Sequence, residues 1–381
     1  MGVARVFRLT CIYLVLLLSL ACSSVSAFSI KPEPTDQEGN IISRTSSRWH
    51  ILLEWNARMY EAFTQPVHEL YLHRVFECQH DSSLCSSPRK PHSFAPDAVI
   101  MGTRWNDMPL FQIESLSFFD CVGRTVWLPT DAKCWVNIFK NENADRPAIE
   151  GEPLNLASSI ALMRRLHYKD MQFIHAMAAS EQEKAATTRS NIVMWMELVY
   201  RLSIGEIDRG LELRKTGVPL AESLFADKPW SAQQLFTGDD SPYRKDPHFR
   251  HFMFGILMHT LLDSYCPSHA QRKPANGKRC SQLPDAAQPG KISNFYVYSL
   301  QDPKKHQTRD TMAAFEAILN GSETDPIHVG RRIKNHYDAG RPWNEVRPYI
   351  ECIFQLEASE APGTAGEEFR RDNTQLQRTE E

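Results

Sequence analysis

Residues Asp246 to Tyr265 confine the fold of this chain more than any other segment. Phe252, Phe254, Ile256, Leu257, Leu261 and Leu262 put apolar side chains on nearly every side of a helical projection, so the spacing predicts a buried helix ended by Pro267. Two of its polar residues fall within the apolar run. His259 and Asp263 are four apart, which sets imidazole and carboxylate on one face, about 40° apart. Buried polar groups need partners, and imidazole with carboxylate is a donor pair for a divalent cation such as zinc. Beyond Pro267 the turned chain brings His269 back toward that face. A fold built on this segment must cover it on all sides and accommodate an inward-facing polar patch.

The remaining periodicity predicts such a surround. Trp49–Phe63, Pro66–Phe76, Leu154–Met177, Asn191–Ile204, His306–Leu319 and Pro342–Phe354 read as helices, with Pro suited to a first turn at Pro66 and Pro342. Residues 79–110 carry Pro88, Pro91, Pro96 and Pro109 and read as a long irregular stretch. Phe118-Phe119 and Val126-Trp127 read as short strands. The expected architecture is mostly α: one helical bundle domain over 47–356, after a loose lead-in at 28–46 and before an acidic, disordered tail at 357–381. Hydrophobic residues make up 42% of the 381, enough for a sizeable core. Lys+Arg number 43 against Asp+Glu 46, so no overall basic excess draws the molecule to nucleic acid or to an anionic membrane.

Residues 1–27 read as an export signal: Arg5 and Arg8 precede the apolar stretch Cys11–Ala21, and Val25-Ser26-Ala27 offers a cut before Phe28. The apolar stretch is too short to span a bilayer, so the mature chain is expected to be secreted or periplasmic with no transmembrane segment. Lipidation at Cys22 is the rival reading, disfavoured by Ser19 where a large aliphatic residue is usual. In an oxidising compartment the remaining cysteines suggest local disulfides 78–85, 121–134 and 266–280, with Cys352 left over; reading them as zinc thiolates finds no CxxC pair.

His259, Asp263 and His269 form H-x3-D-x5-H, and His306 with Asp310 repeats the four-residue spacing downstream. With 14 His and 46 acidic residues in 381, chance supplies roughly 0.06 matches to the first pattern. Together they resemble the zinc-dependent phospholipase C/P1 nuclease family, whose members are α-helical and hold three zinc ions. Three further matches keep the family's chain order: His68 in HELYLHRV, Asp107 in Trp105-Asn106-Asp107, and His167 in His167-Tyr168-Lys169-Asp170. The resemblance covers roughly residues 66–312. It implies that Asp107, His167, His259 and Asp263 hold one zinc, that His269, His306 and Asp310 hold a second, and that His68 with Asp263 holds a third. Family members complete the third site with an N-terminal Trp. Cleavage here leaves Phe28 instead, so two or three Zn²⁺ are expected, with His73 or His175 as a substitute ligand.

Two zinc ions sharing Asp263 would lower the pKa of a bound water toward ~7 and clamp the oxygens of an in-line displacement, which suits phosphodiester hydrolysis. Asp107 is the expected general base. The expected substrate is a phospholipid met by peripheral membrane contact. A P1-like single-strand nuclease, which would need aromatic faces and cations, and a zinc-stabilised secreted protein without turnover are the alternatives.

Overall fold

The computed structural model describes residues 67–80, 95–107, 109, 111–112, 125–126, 159–238 and 241–371, and over these residues the protein is mostly α-helical. In chain order come helices α1 (Val67–His80), α2 (Asp97–Trp105), α3 (Ser159–Tyr168) and α4 (Ala185–Ile204). The short α5 (Pro219–Leu224) and α6 (Ala232–Phe236) lead into α7 (His248–Asp263). Then follow α8 (Pro303–Gln307), α9 (Met312–Ile318), α10 (Pro326–Asp338) and α11 (Trp343–Ile353). The export signal, the lead-in and the expected Trp49–Phe63 helix lie outside the described residues. Among the described residues no helix is long and apolar enough to cross a membrane.

The apolar segment is the axis of the molecule. Every residue of α7 from Phe252 to Asp263 is buried, and α2 and α4 pack along it, with α1, α10 and the turn Gln172–His175 closing the remaining sides. Two glycines set the crossing with α2. A Cβ on Gly255 would lie 2.1 Å from the Val99 carbonyl oxygen, and one on Gly102 1.9 Å from that of Phe252. The two backbones therefore touch, which only glycine permits. One continuous apolar core runs from Val67 to Phe354.

Several elements depart from the sequence expectation. The stretch 79–110 contains α2, because Pro96 precedes the helix rather than breaking it. The expected Leu154–Met177 helix is interrupted after Tyr168: a 3₁₀ turn, Gln172–His175, ends on Ala176 in the left-handed region at φ 51°. The expected His306–Leu319 helix is two. Asp302 caps α8 by accepting from the Lys304 and Lys305 amides, and Thr311 caps α9 by accepting from Ala314, so the chain turns between them. Helix α10 follows an Asp325-Pro326 start of the same kind.

Strand Phe111–Gln112 (β1) pairs antiparallel with Thr125–Val126 (β2), so Val126 is extended as expected, while Phe118, Phe119 and Trp127 lie outside the described residues. Ala270–Arg272 (β3), Arg279–Cys280 (β4), Leu283–Ala287 (β5) and Ile292–Phe295 (β6) form two further small antiparallel pairs, β3 with β6 and β4 with β5.

Two expectations are corrected outright. Residues 357–371 are not a disordered tail: Phe369 is 1% exposed, the Val297 amide donates to Thr364, and the Ala185 amide at the start of α4 donates to Ala361. Polar composition hid a segment whose carbonyls satisfy open helix and strand amides. The cysteine pairing also differs, because Cys280 bonds Cys352 and not Cys266. Cys266 is buried and outside any disulfide. Cys78 is disulfide-bonded, and its expected partner Cys85 lies outside the described residues, as do Cys121 and Cys134.

Candidate metal centre

Six histidines and three aspartates meet at the C-terminal half of α7, each no more than 4% exposed: His68, Asp107, His167, His175, His259, Asp263, His269, His306 and Asp310. Eight of these are the residues expected from the sequence, and the structure brings all eight together. The ninth, His175, was expected only as one of two substitutes. The other substitute, His73, lies apart and accepts a hydrogen bond from the Ala95 amide.

Each element delivers its donors by local geometry. One helical turn of α7 sets His259 Nε2 3.0 Å from Asp263 Oδ2. Helix α1 carries His68, whose Nε2 is 2.9 Å from Asp263 Oδ1 and whose ring stacks on that of His259 at 3.8 Å. The buried Arg104–Glu69 ion pair (2.8 Å) ties α1 to α2 beside these groups. Asp107 follows the end of α2, with its oxygens 3.9–4.0 Å from nitrogens of His167, His175 and His259. The turn after α7 presents His269, whose Nε2 is 3.9 Å from Asp310 Oδ1. His306 Nε2 lies 2.9 Å from Asp310 Oδ2. That pair is four apart as expected, but Asp310 stands in the turn after α8 and not on a continuous helix.

Three ring orientations are fixed from behind. The Nδ1–H of His259 donates to the Thr103 carbonyl (2.6 Å), that of His269 to the His175 carbonyl (2.8 Å), and that of His306 to Gln301 Oε1 (2.5 Å). A carbonyl oxygen only accepts, so each Nδ1 carries a proton, and in the neutral ring each Nε2 presents a lone pair to the cluster. Gln301 cannot flip, because its amide nitrogen donates to the Ser268 and Ala365 carbonyls. The sequence held no signal for Thr103 or Gln301; their roles come from distant packing.

Burial disfavours the charged form of three of these imidazoles. It pushes His259 and His175 down from 6.5 to about 4, against the pull of Asp263, and lowers His269 as well. Burial would raise the Asp263 carboxyl, but His259, His269, His68 and the hydrogen bond from His175 hold it well below the usual range. Neutral imidazole and ionised carboxylate are the forms that bind metal.

The His306–Asp310 approach tests the fit directly. His306 Nδ1 is turned to Gln301, and its Nε2 faces Asp310 Oδ2 at 2.9 Å, both atoms buried. One cation could be shared by this nitrogen and this carboxylate oxygen. Donors at about 2.0–2.2 Å from one tetrahedral zinc stand roughly 3.3 Å apart. Among the described residues, three donor groups have their ligand atoms within 4.8 Å of one another: His68/His259/Asp263, Asp107/His175/His259 and Cys266/His269/Asp310. The donor set fits divalent metal, although Asp107 groups with His175 rather than His167. A pocket lined by His167, His175, His269, His306, Met177 and Tyr298 opens beside it. Comparison with family models, curated proteins and solved structures finds no match to this chain.

Proposed function

We propose that the protein is an exported, zinc-dependent phosphodiester hydrolase of the phospholipase C/P1 nuclease type. The observation that carries this reading is the convergence of six buried histidines and three buried aspartates, with ligand atoms of three groups of them and Cys266 close enough to share a cation. The resemblance of the H-x3-D-x5-H and H-x3-D motifs supports the same metal. Bound zinc supplies a water of lowered pKa and charge stabilisation for the phosphoryl oxygens. His259, His175, His269, His306 and His68 with Asp263 and Asp310 would hold the ions. Three carboxylates against two or three divalent cations leave a positive floor, which attracts a phosphodiester anion.

The chain's own groups do the rest. Asp107 takes the proton of the attacking water, with the His167, His175 and His259 rings about it restricting its carboxylate to one region of the centre. Water oxygen bonds to phosphorus, the ester bond to the alcohol breaks, and the alkoxide is protonated from solvent. Leu166 and Met177 in the pocket wall suit the glycerol side of a phospholipid. One observation favours a second reading: Tyr298 lines the pocket with Tyr168 against it edge-on at 5.4 Å, a surface on which a nucleobase of single-stranded DNA could stack.

Metal analysis of the purified mature chain is expected to give two to three zinc ions per molecule, and a value near zero rejects the reading. His259→Ala should lose zinc and activity together, whereas His248→Ala should do neither. Side-by-side assays on phosphatidylcholine vesicles and single-stranded DNA decide the substrate; hydrolysis of neither by zinc-loaded protein leaves a non-catalytic metalloprotein.

A further inference from the structure

The turn that closes α7 carries more than His269. Asp263 and Cys266 are joined by a backbone hydrogen bond, Cys266 N–H to Asp263 O (2.9 Å), and His269 N–H returns to Cys266 O (3.0 Å). This winding sets the Cys266 side chain on the same side as the His269 ring. Its Sγ lies 2.9 Å from Asp310 Oδ1 and 3.1 Å from Ser268 Oγ, at 0% exposure. The ligand atoms of Cys266, His269 and Asp310 lie within 4.8 Å of one another. Donors on one tetrahedral zinc, with Zn–S about 2.3 Å and Zn–N about 2.0 Å, stand roughly 3.6 Å apart, which these separations bracket. Cys280, the sequence-nearest disulfide partner, is already bonded to Cys352, so nothing competes covalently for this thiol among the described residues.

We propose that Cys266 is a thiolate ligand to the metal held by His269 and Asp310, making this a sulfur-containing site with His306 beside it. The inference rests on the reading that the centre holds metal, but not on hydrolase activity. On binding, the thiol gives its proton to solvent and the Sγ–H···Oδ1 contact becomes two bonds to one cation. A thiolate is a softer ligand than imidazole or carboxylate, biasing this position toward borderline metals such as zinc over magnesium or calcium.

Cobalt(II) titrated into the metal-free full chain tests it, because thiolate-to-cobalt charge transfer gives an intense near-ultraviolet band that imidazole and carboxylate ligands do not. The wild type is expected to show that band as cobalt binds, and Cys266→Ser to lose it while His68, His259 and Asp263 still take up cobalt. Should Cys266→Ser fail to fold, the wild-type spectrum still decides, with Cys266→Ala as the second variant. Cobalt bound at two or more equivalents with no such band overturns the thiolate ligand and leaves the proposed function standing, as does a band that persists in either folded variant. No cobalt uptake at all overturns both.

Discussion

Gln301 shows how much of the candidate centre depends on residues outside the donor set. Its Oε1 accepts from His306 Nδ1 while its amide nitrogen is spent on two backbone carbonyls, so it fixes both the tautomer and the direction of the ring. Gln301→Leu keeps the volume and removes the acceptor. Loss of such a partner typically weakens metal affinity about 10- to 100-fold. Zinc competition against a chromogenic chelator should show that drop at one of the bound ions while the far-ultraviolet circular dichroism is unchanged. An unaltered affinity would mean that His306 is not a ligand. At this scale the sequence was most informative about side chains that bind directly, since spacing alone put His259 and Asp263 on one face. It was silent about Gln301 and Thr103, because nothing local marks a glutamine or a threonine carbonyl as the rest for a ring 5 or 156 residues away.

The crossing of α2 with α7 is the element-scale device that builds the centre. Gly255 and Gly102 bring the backbones into contact, and the same closeness carries the Thr103 carbonyl to His259 and leaves Asp107 facing the cluster. Gly255→Ala places a methyl group against Val99 O and Thr103 N, both backbone atoms that cannot move aside alone. Overpacking of this kind costs about 3 kcal/mol or somewhat more. Urea denaturation should register it, and zinc content should fall in the same variant because the helices separate at the ligand end. Equal stability of mutant and wild type would contradict the crossing. The α7 helix was legible from its run of apolar residues, whereas α2 was not: its prolines mark the start of a helix as readily as its absence. The His306–Leu319 segment was misjudged for a related reason, because caps at Asp302 and Thr311 divide an amphipathic pattern that continues across the break.

Over the whole molecule, the Cys280–Cys352 bond closes a loop of 72 residues that contains α8 to α10, most of α11, and both His306 and Asp310. Chain entropy assigns such a cross-link about 4 kcal/mol. The double substitution Cys280→Ala with Cys352→Ala should lower the stability of the zinc-loaded protein by about that much in urea melts, and Cys266→Ala should leave the disulfide intact on non-reducing peptide mapping. A disulfide containing Cys266 in the same map of the wild type would refute the pairing. The sequence by itself determined that a buried helix would carry an imidazole and a carboxylate four residues apart, that other histidines and aspartates were spaced to join them, and that the surround would be mostly helical. Those properties follow from the 3.6-residue period and the cost of burying unpaired polar groups, which act between near neighbours. Only the tertiary structure decided which cysteines pair, that His175 enters the cluster, that residues 357–371 are packed, and which carbonyls fix the rings. Each of these depends on two segments far apart in the chain arriving at hydrogen-bonding or bonding distance, and no local pattern encodes that arrival.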